Sequence, residues 1–81
     1  MPSYRFVFEV YSPHGPRGNT LIGFTSRTAT FLDDETARKI FTNITKETED
    51  RIKRGAPKTQ IPNRLLRVDQ PEVVTLLETR S

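Results

Sequence analysis

One segment in the middle of the chain fits no regular structure except an α-helix. Between residues 34 and 54, an acidic residue precedes a basic one by four positions five times, the spacing at which side chains meet on a helix. Apolar and small residues recur at helical spacing on another side, as in a helix that packs on a core. The charged pairs are Asp34/Arg38, Glu35/Lys39, Glu47/Arg51, Glu49/Lys53 and Asp50/Arg54. The apolar stripe consists of Ala37, Ile40, Phe41, Ile44, Thr48 and Ile52.

The signals that begin and end this helix are also present. Asp33 and Asp34 offer a carboxylate to the first free backbone N–H groups, and Glu35 adds negative charge to the first turn. Gly55 and Pro57 follow the last charged pair, and both residues are typical of a helix end. We therefore expect one long helix between Asp33 and Gly55.

Two strands are predicted before the helix. Residues 4–11 alternate between two sides, and residues 20–30 are rich in β-branched side chains, with Gly23 or Ser26 marking a β-bulge. The segment 12–19 between them holds two prolines and two glycines, which is typical of a long hairpin loop. In the first strand, Tyr4, Phe6, Phe8 and Val10 share one side, and Arg5, Val7, Glu9 and Tyr11 share the other.

A third strand is predicted over residues 63–68, with Leu66 and Val68 on one side and Leu65 and Arg67 on the other. The last segment allows two interpretations. Two adjacent valines and a threonine favour a strand over residues 73–80. Asp69 and Glu72 have the spacing of a capping box, which would instead begin a short helix.

These elements predict a small α+β fold in one domain, residues 1–81. The order ββαββ corresponds to a two-layer sandwich, a mostly antiparallel sheet with one long helix on one face. The alternative is ββαβα with a short C-terminal helix. A chain of 81 residues buries only a thin core. We expect the helix to pack on the aromatic side of the first strand and on Ile22, Phe24, Leu66 and Val68.

One helix covers one face of a sheet, so the opposite face needs another explanation. Its predicted residues are more apolar than a solvated sheet face usually is. We therefore expect a small non-enzymatic binding or regulatory protein, an accessory, adaptor or inhibitory subunit, that contacts another protein or a second copy of itself as a homodimer. The predicted contact residues are Val7, Tyr11, Leu21, Leu65 and Arg67.

The distribution of charge supplies an alternative function. The net charge is only +3, but residues 51–67 hold six cations and no acid. Such a segment suits a phosphate backbone, although no aromatic residue lies within it to stack on bases. The alternative is therefore a nucleic-acid-binding module. Its contacts would be Arg51, Lys53, Arg54, Lys58, Arg64 and Arg67.

Few residues are suited to chemistry. The chain has no cysteine and one histidine, which excludes disulfide scaffolds and cysteine-ligated metal sites. The acidic residues are explained by the helix, so we expect no catalytic residues, no cofactor, no metal and no small-molecule substrate. In the first loop, His14 and Arg17 lie among glycines that would allow a small anion site. That spacing matches no phosphate-binding motif, and a plain hairpin loop is the simpler interpretation.

Hydropathy along the chain predicts no contact with a membrane. No apolar run approaches the roughly 18 residues of a membrane-spanning helix, and the first residues lead directly into the first strand without a signal-peptide core. We expect a cytoplasmic protein.

Overall fold

The computed structural model describes residues 2–12, 20–69 and 73–80. They form one four-stranded antiparallel sheet with one helix packed on it, a small α+β fold. The predicted order ββαββ is confirmed, and the last segment is a strand, so the alternative with a C-terminal helix is wrong. The elements are β1 (Ser3–Ser12), β2 (Thr20–Thr30), α1 (Asp34–Lys53), β3 (Gln60–Asp69) and β4 (Val73–Thr79).

The strand order in the sheet is β2-β1-β3-β4. Two antiparallel hairpins therefore lie side by side, with α1 connecting them, and β2 and β4 form the two edges. Residues that face each other across strands share a side of the sheet. Phe6 in β1 lies opposite Arg27 of β2 and Leu65 of β3. We call the side that carries Phe6 the helix face and the other side the outer face.

The register shifts once between each pair of neighbouring strands. The β1/β2 shift leaves Ile22 without a direct partner, next to Gly23, one of the two predicted bulge positions. The β1/β3 shift falls at Asn63, and the β3/β4 shift at Leu77. A bulge changes which side a strand's later residues face. Strand sides in this sheet therefore follow from the register rather than from simple alternation.

The helix begins and ends where the sequence predicts. Asp33 is the N-cap, and its carboxylate accepts hydrogen bonds from the backbone N–H of Thr36 at 2.9 Å and from the Thr36 hydroxyl at 2.7 Å. These bonds hold the pKa of Asp33 below its ordinary value. Gly55, just beyond the helix, has φ of +97°, the left-handed conformation in which glycine is favoured.

The charged pairs predicted the helix correctly, but most of them are not formed. In the described part of the chain, Glu35 and Lys39 are the one predicted pair within ion-pair distance, at 3.5 Å. Asp34 instead binds Arg67 of β3, and Arg38 reaches Glu78 of β4 at 3.5 Å. Charges on the sheet thus compete successfully with the neighbours along the helix.

The core lies between the helix face and α1. Tyr4, Phe6 and Leu65 from the sheet meet Ala37 and Phe41 from the helix, and all five are buried. Ring contacts run through the centre, since Phe6 lies 6.4 Å from Phe41 between ring centroids. The partly buried residues around this core are Phe8, Ala29, Phe31, Ile40, Ile44 and Leu77.

The predicted sides of β3 are reversed. Leu65 lies opposite Phe6, is 0% exposed and packs in the core, so its assignment to the outer face is wrong. Arg67 lies opposite Tyr4 on the helix face, and its assignment is wrong for the same reason. Leu66 and Val68, expected under the helix, are on the outer face. Adjacent leucines do not reveal which of them faces inward, so the register decides.

The predicted side of Phe24 in β2 is also wrong. Phe24 lies opposite Glu9 on the outer face, and Ile22 in the bulge is exposed rather than packed under α1. The helix face of β2 carries Arg27 and Ala29 instead. The backbone of α1 runs nearest to β3 and β4. The helix face of β2 therefore lies mostly beyond the helix and does not require large apolar side chains.

Candidate functional site

The outer face is not covered by any helix in the described residues, because α1 lies on the other side. Its β3 and β4 half is aliphatic. Leu66 lies opposite Leu76, and Val68 lies opposite Val74, so four aliphatic side chains form one contiguous group. We call Leu66, Val68, Val74 and Leu76 the aliphatic patch. Val74 is 50% exposed and Leu76 is 55% exposed, which leaves half of each in water.

The β1 and β2 half of the outer face is mostly polar near the patch and aromatic at its far end. Ser26, Thr28 and Thr30 of β2 occupy outer-face positions along the edge. Phe24 and Leu21 follow beyond them, beside Tyr11 of β1. On its β1 side the aliphatic patch is therefore bordered by polar residues, as the apolar centre of a docking surface usually is.

The predicted contact residues divide between the two faces. Tyr11 and Leu21 lie opposite each other on the outer face, and Leu21 is exposed. Val7 is also on this face, but it is buried and so presents little surface to a partner. Leu65 and Arg67 are on the helix face. The exposed aliphatic surface is instead that of the aliphatic patch, and only the β3/β4 register shows that its four residues adjoin.

Two arginines lie next to the aliphatic patch. Arg5 of β1 is directly opposite Leu66, and Arg64 of β3 is directly opposite Val7. The two are thus diagonal neighbours on adjacent strands, a position at which residues are about 7–8 Å apart and their long side chains can meet. Across residues 2–12, 20–69 and 73–80, neither arginine forms an ion pair or a side-chain hydrogen bond.

Glu9 is the acidic residue on this part of the outer face, and it is already occupied. The residue is 8% exposed, and its carboxylate accepts hydrogen bonds from Asn63 Nδ2 at 2.7 Å and Arg80 Nη2 at 2.7 Å. The Tyr11 hydroxyl donates to the other oxygen. Among the described residues, the accessible charge beside the aliphatic patch is therefore positive.

The protonation of this cluster is fixed by its contacts. Burial raises the pKa of Glu9, but the hydrogen bonds from Tyr11, Arg80 and Asn63 outweigh it, and the pKa lies below its ordinary value. The same carboxylate, together with burial, raises the pKa of Tyr11. The Lys58 ammonium lies 5.5 Å from the centroid of the Tyr11 ring. The ionised Glu9 carboxylate is thus held in an ion pair with Arg80.

The six cations proposed for nucleic acid do not meet on one surface. Arg51, Lys53 and Arg54 are exposed in or just after the last turn of α1, where Glu47 and Asp50 lie beside Arg51 and Arg54. Lys58 follows in the connection to β3, and Arg64 is on the outer face. Arg67 is near the start of α1, where it binds Asp34 and, at 3.1 Å, Asp69.

The remaining candidate regions of the described residues are open surfaces. An open groove of about 300 Å³ between α1 and β4 is lined by residues such as Phe41, Thr45 and Arg80. No three potential metal-ligating side chains come together in the described ranges. The same residues include no helix of the length and apolarity that crossing a membrane requires. His14 and Arg17, the alternative anion site, lie outside the described residues.

Comparison with known proteins adds no further constraint. The chain matches no protein-family model, no curated protein and no solved structure. Function is therefore inferred from the surface of the molecule alone.

Proposed function

We propose that this is a small non-enzymatic binding protein that docks another protein chain on the outer face of its sheet. The observation that carries the proposal is the aliphatic patch. Its two cross-strand pairs, Leu66/Leu76 and Val68/Val74, are contiguous, and the two β4 members are half exposed. A contiguous apolar patch with a polar border is a common mark of an interaction surface.

The experiment compares two leucine-to-glutamate variants. A phage-displayed library of random 16-residue peptides is selected on the wild-type protein, and the enriched peptides are synthesised for fluorescence anisotropy. The test variant is Leu76→Glu, in the aliphatic patch. The matched control is Leu32→Glu, because Leu32 is 75% exposed and lies between β2 and α1 rather than in the sheet.

The proposal expects selected peptides that bind Leu76→Glu at least about tenfold more weakly, since the change replaces apolar contact surface by a carboxylate that must be desolvated on docking. The same peptides bind Leu32→Glu as they bind wild type. Far-UV circular dichroism shows that both variants are folded. Peptide binding that is equal in both variants, or a library that yields no Leu76-dependent peptide, refutes docking on this face.

Self-association is examined in parallel by sedimentation velocity. A dimer that Leu76→Glu dissociates and Leu32→Glu does not would identify a second copy as the docked chain. A dimer insensitive to both variants would place the self-contact elsewhere on the molecule, and the peptide result would then decide the proposal.

A further inference from the structure

We infer that the chain docked on the outer face is an acidic as well as apolar segment of a different protein, whose carboxylates bind Arg5 and Arg64. The inference rests on the proposed function and adds the chemistry of the partner. Leu66 lies between the two arginines, with Arg5 opposite it in β1 and Arg64 two residues away in β3. A segment that covers Leu66 must therefore also meet both guanidinium groups.

Two other arginines in or beside this sheet, Arg67 and Arg80, form ion pairs with nearby carboxylates. Arg67 is paired with Asp34 and Asp69, and Arg80 is paired with Glu9. Arg5 and Arg64 have no such partner in the described residues, and the one carboxylate on their part of the face is engaged by Arg80. The guanidinium groups of Arg5 and Arg64 are thus available to bind carboxylates beside an apolar surface.

Docking would take these two cations partly out of water. A buried cation without a carboxylate is costly, whereas one that gains a bidentate carboxylate is tolerated or favourable. The partner must therefore supply acidic side chains at the border of its own apolar surface. A neutral or basic segment of the same shape would be rejected by the same arginines.

This charge pattern disfavours the homodimer expected from sequence. Two copies packed outer face to outer face would enclose four arginines in one interface, two from each copy, with no unengaged acid among the described residues of either face. Nucleic acid is disfavoured for a different reason. The side chains directly opposite Arg5 and Arg64 are Thr28, Leu66, Val7 and Thr79, and none of them is an aromatic group on which a base could stack.

The Leu76-dependent peptides from the library are the probe for this inference. We expect them to carry more aspartate and glutamate than lysine and arginine. The tightest of them should bind the double variant Arg5→Gln/Arg64→Gln about tenfold more weakly, from two charge-assisted contacts. The matched control is Arg51→Gln/Arg54→Gln, which removes two exposed cations of α1's C-terminal end and should bind as wild type does.

A charge exchange separates attraction from simple loss of packing. Arg5→Glu/Arg64→Glu should bind the original peptide weakly and should recover affinity for a peptide whose acidic residues are replaced by lysine. Leu76-dependent peptides without an acidic excess, or peptides indifferent to the Arg5/Arg64 variants, overturn the inference and leave the docking proposal standing. Binding of a 12-nucleotide oligouridine that competes with the peptide overturns the inference in favour of nucleic acid. Absence of any Leu76-dependent peptide overturns both.

Discussion

Two adjacent leucines in β3 provide a direct test of which side of the sheet faces the helix. Leu65 is 0% exposed and contacts the buried core, whereas Leu66 is half-buried on the outer face. Replacing Leu65 with alanine removes buried methyl groups and leaves a cavity between the sheet and α1. Replacements of this kind cost about 2.7–5 kcal/mol. The same change at Leu66 removes atoms that already contact water, and we expect a cost of about 1 kcal/mol or less.

The difference is large compared with the stability of such a chain, which is about 4–12 kcal/mol for this length. In a domain of this size, each 1 kcal/mol lowers the melting temperature by about 4–8 °C. Leu65→Ala should therefore melt at least about 10 °C below wild type, and Leu66→Ala within about 8 °C of it. Thermal and urea unfolding followed by circular dichroism at 222 nm measures both. Equal losses, or a larger loss at Leu66, would refute the assigned register of β3.

Four further changes probe the helix ends and the buried polar groups. Asp33→Ala should cost about 1 kcal/mol in urea unfolding, because it removes the N-cap acceptor. Gly55→Ala should cost a similar amount, about 1 kcal/mol, through its positive φ alone, since nothing lies within 4 Å of the added Cβ. Burial and the hydrogen bond to Asp34 raise the pKa of Tyr4 to about 12, so absorbance at 295 nm should show one phenol titrating near that pH and stability falling between pH 10 and 12. The pKa of Glu9 is lowered in the folded protein, so its ionised carboxylate stabilises the fold at pH values above the pKa that Glu9 has in the unfolded chain. The free energy of unfolding of Glu9→Gln should therefore fall least below that of wild type at acid pH, where wild type has already lost this contribution.

The helix could be predicted from the sequence because its signals are local. Asp33 and Gly55 mark its ends, and the apolar stripe marks its buried side. All of these act within a few residues, and none depends on the rest of the fold. The element order is predicted for the same reason, since each strand has its own alternation or β-branched composition.

The sides of β2 and β3 could not be predicted, because they depend on contacts between distant residues. Leu65 and Leu66 have the same side chain, and only pairing with Phe6 shows which of them is buried. The bulge at Asn63 changes the alternation of β3 partway along the strand. In β2, Phe24 would be expected inside a sheet that the helix covered evenly, but α1 lies towards the other edge.

The aliphatic patch of the candidate site was missed for the same reason. Leu66 and Leu76 are ten residues apart, in two different strands, and whether they face each other depends on the β3/β4 register. Arg5 was predicted on the correct face from the alternation of β1. Its importance appears only when Arg67 and Arg80 are seen to be paired with carboxylates while Arg5 and Arg64 are not.

The bonds of Glu9 also affect how the sheet comes apart. An edge strand such as β4 usually separates first, because it has one neighbour and little above it. Here Arg80, directly after β4, donates hydrogen bonds to the carboxylate of Glu9 in β1 and, at 3.0 Å, to the carbonyl of Pro62 in β3. Release of this end would therefore break contacts with two interior strands at once and expose a charge pair that is otherwise shielded. Arg80 consequently ties the end of β4 to β1 and β3, and separation of this edge strand is coupled to disruption of the two interior strands.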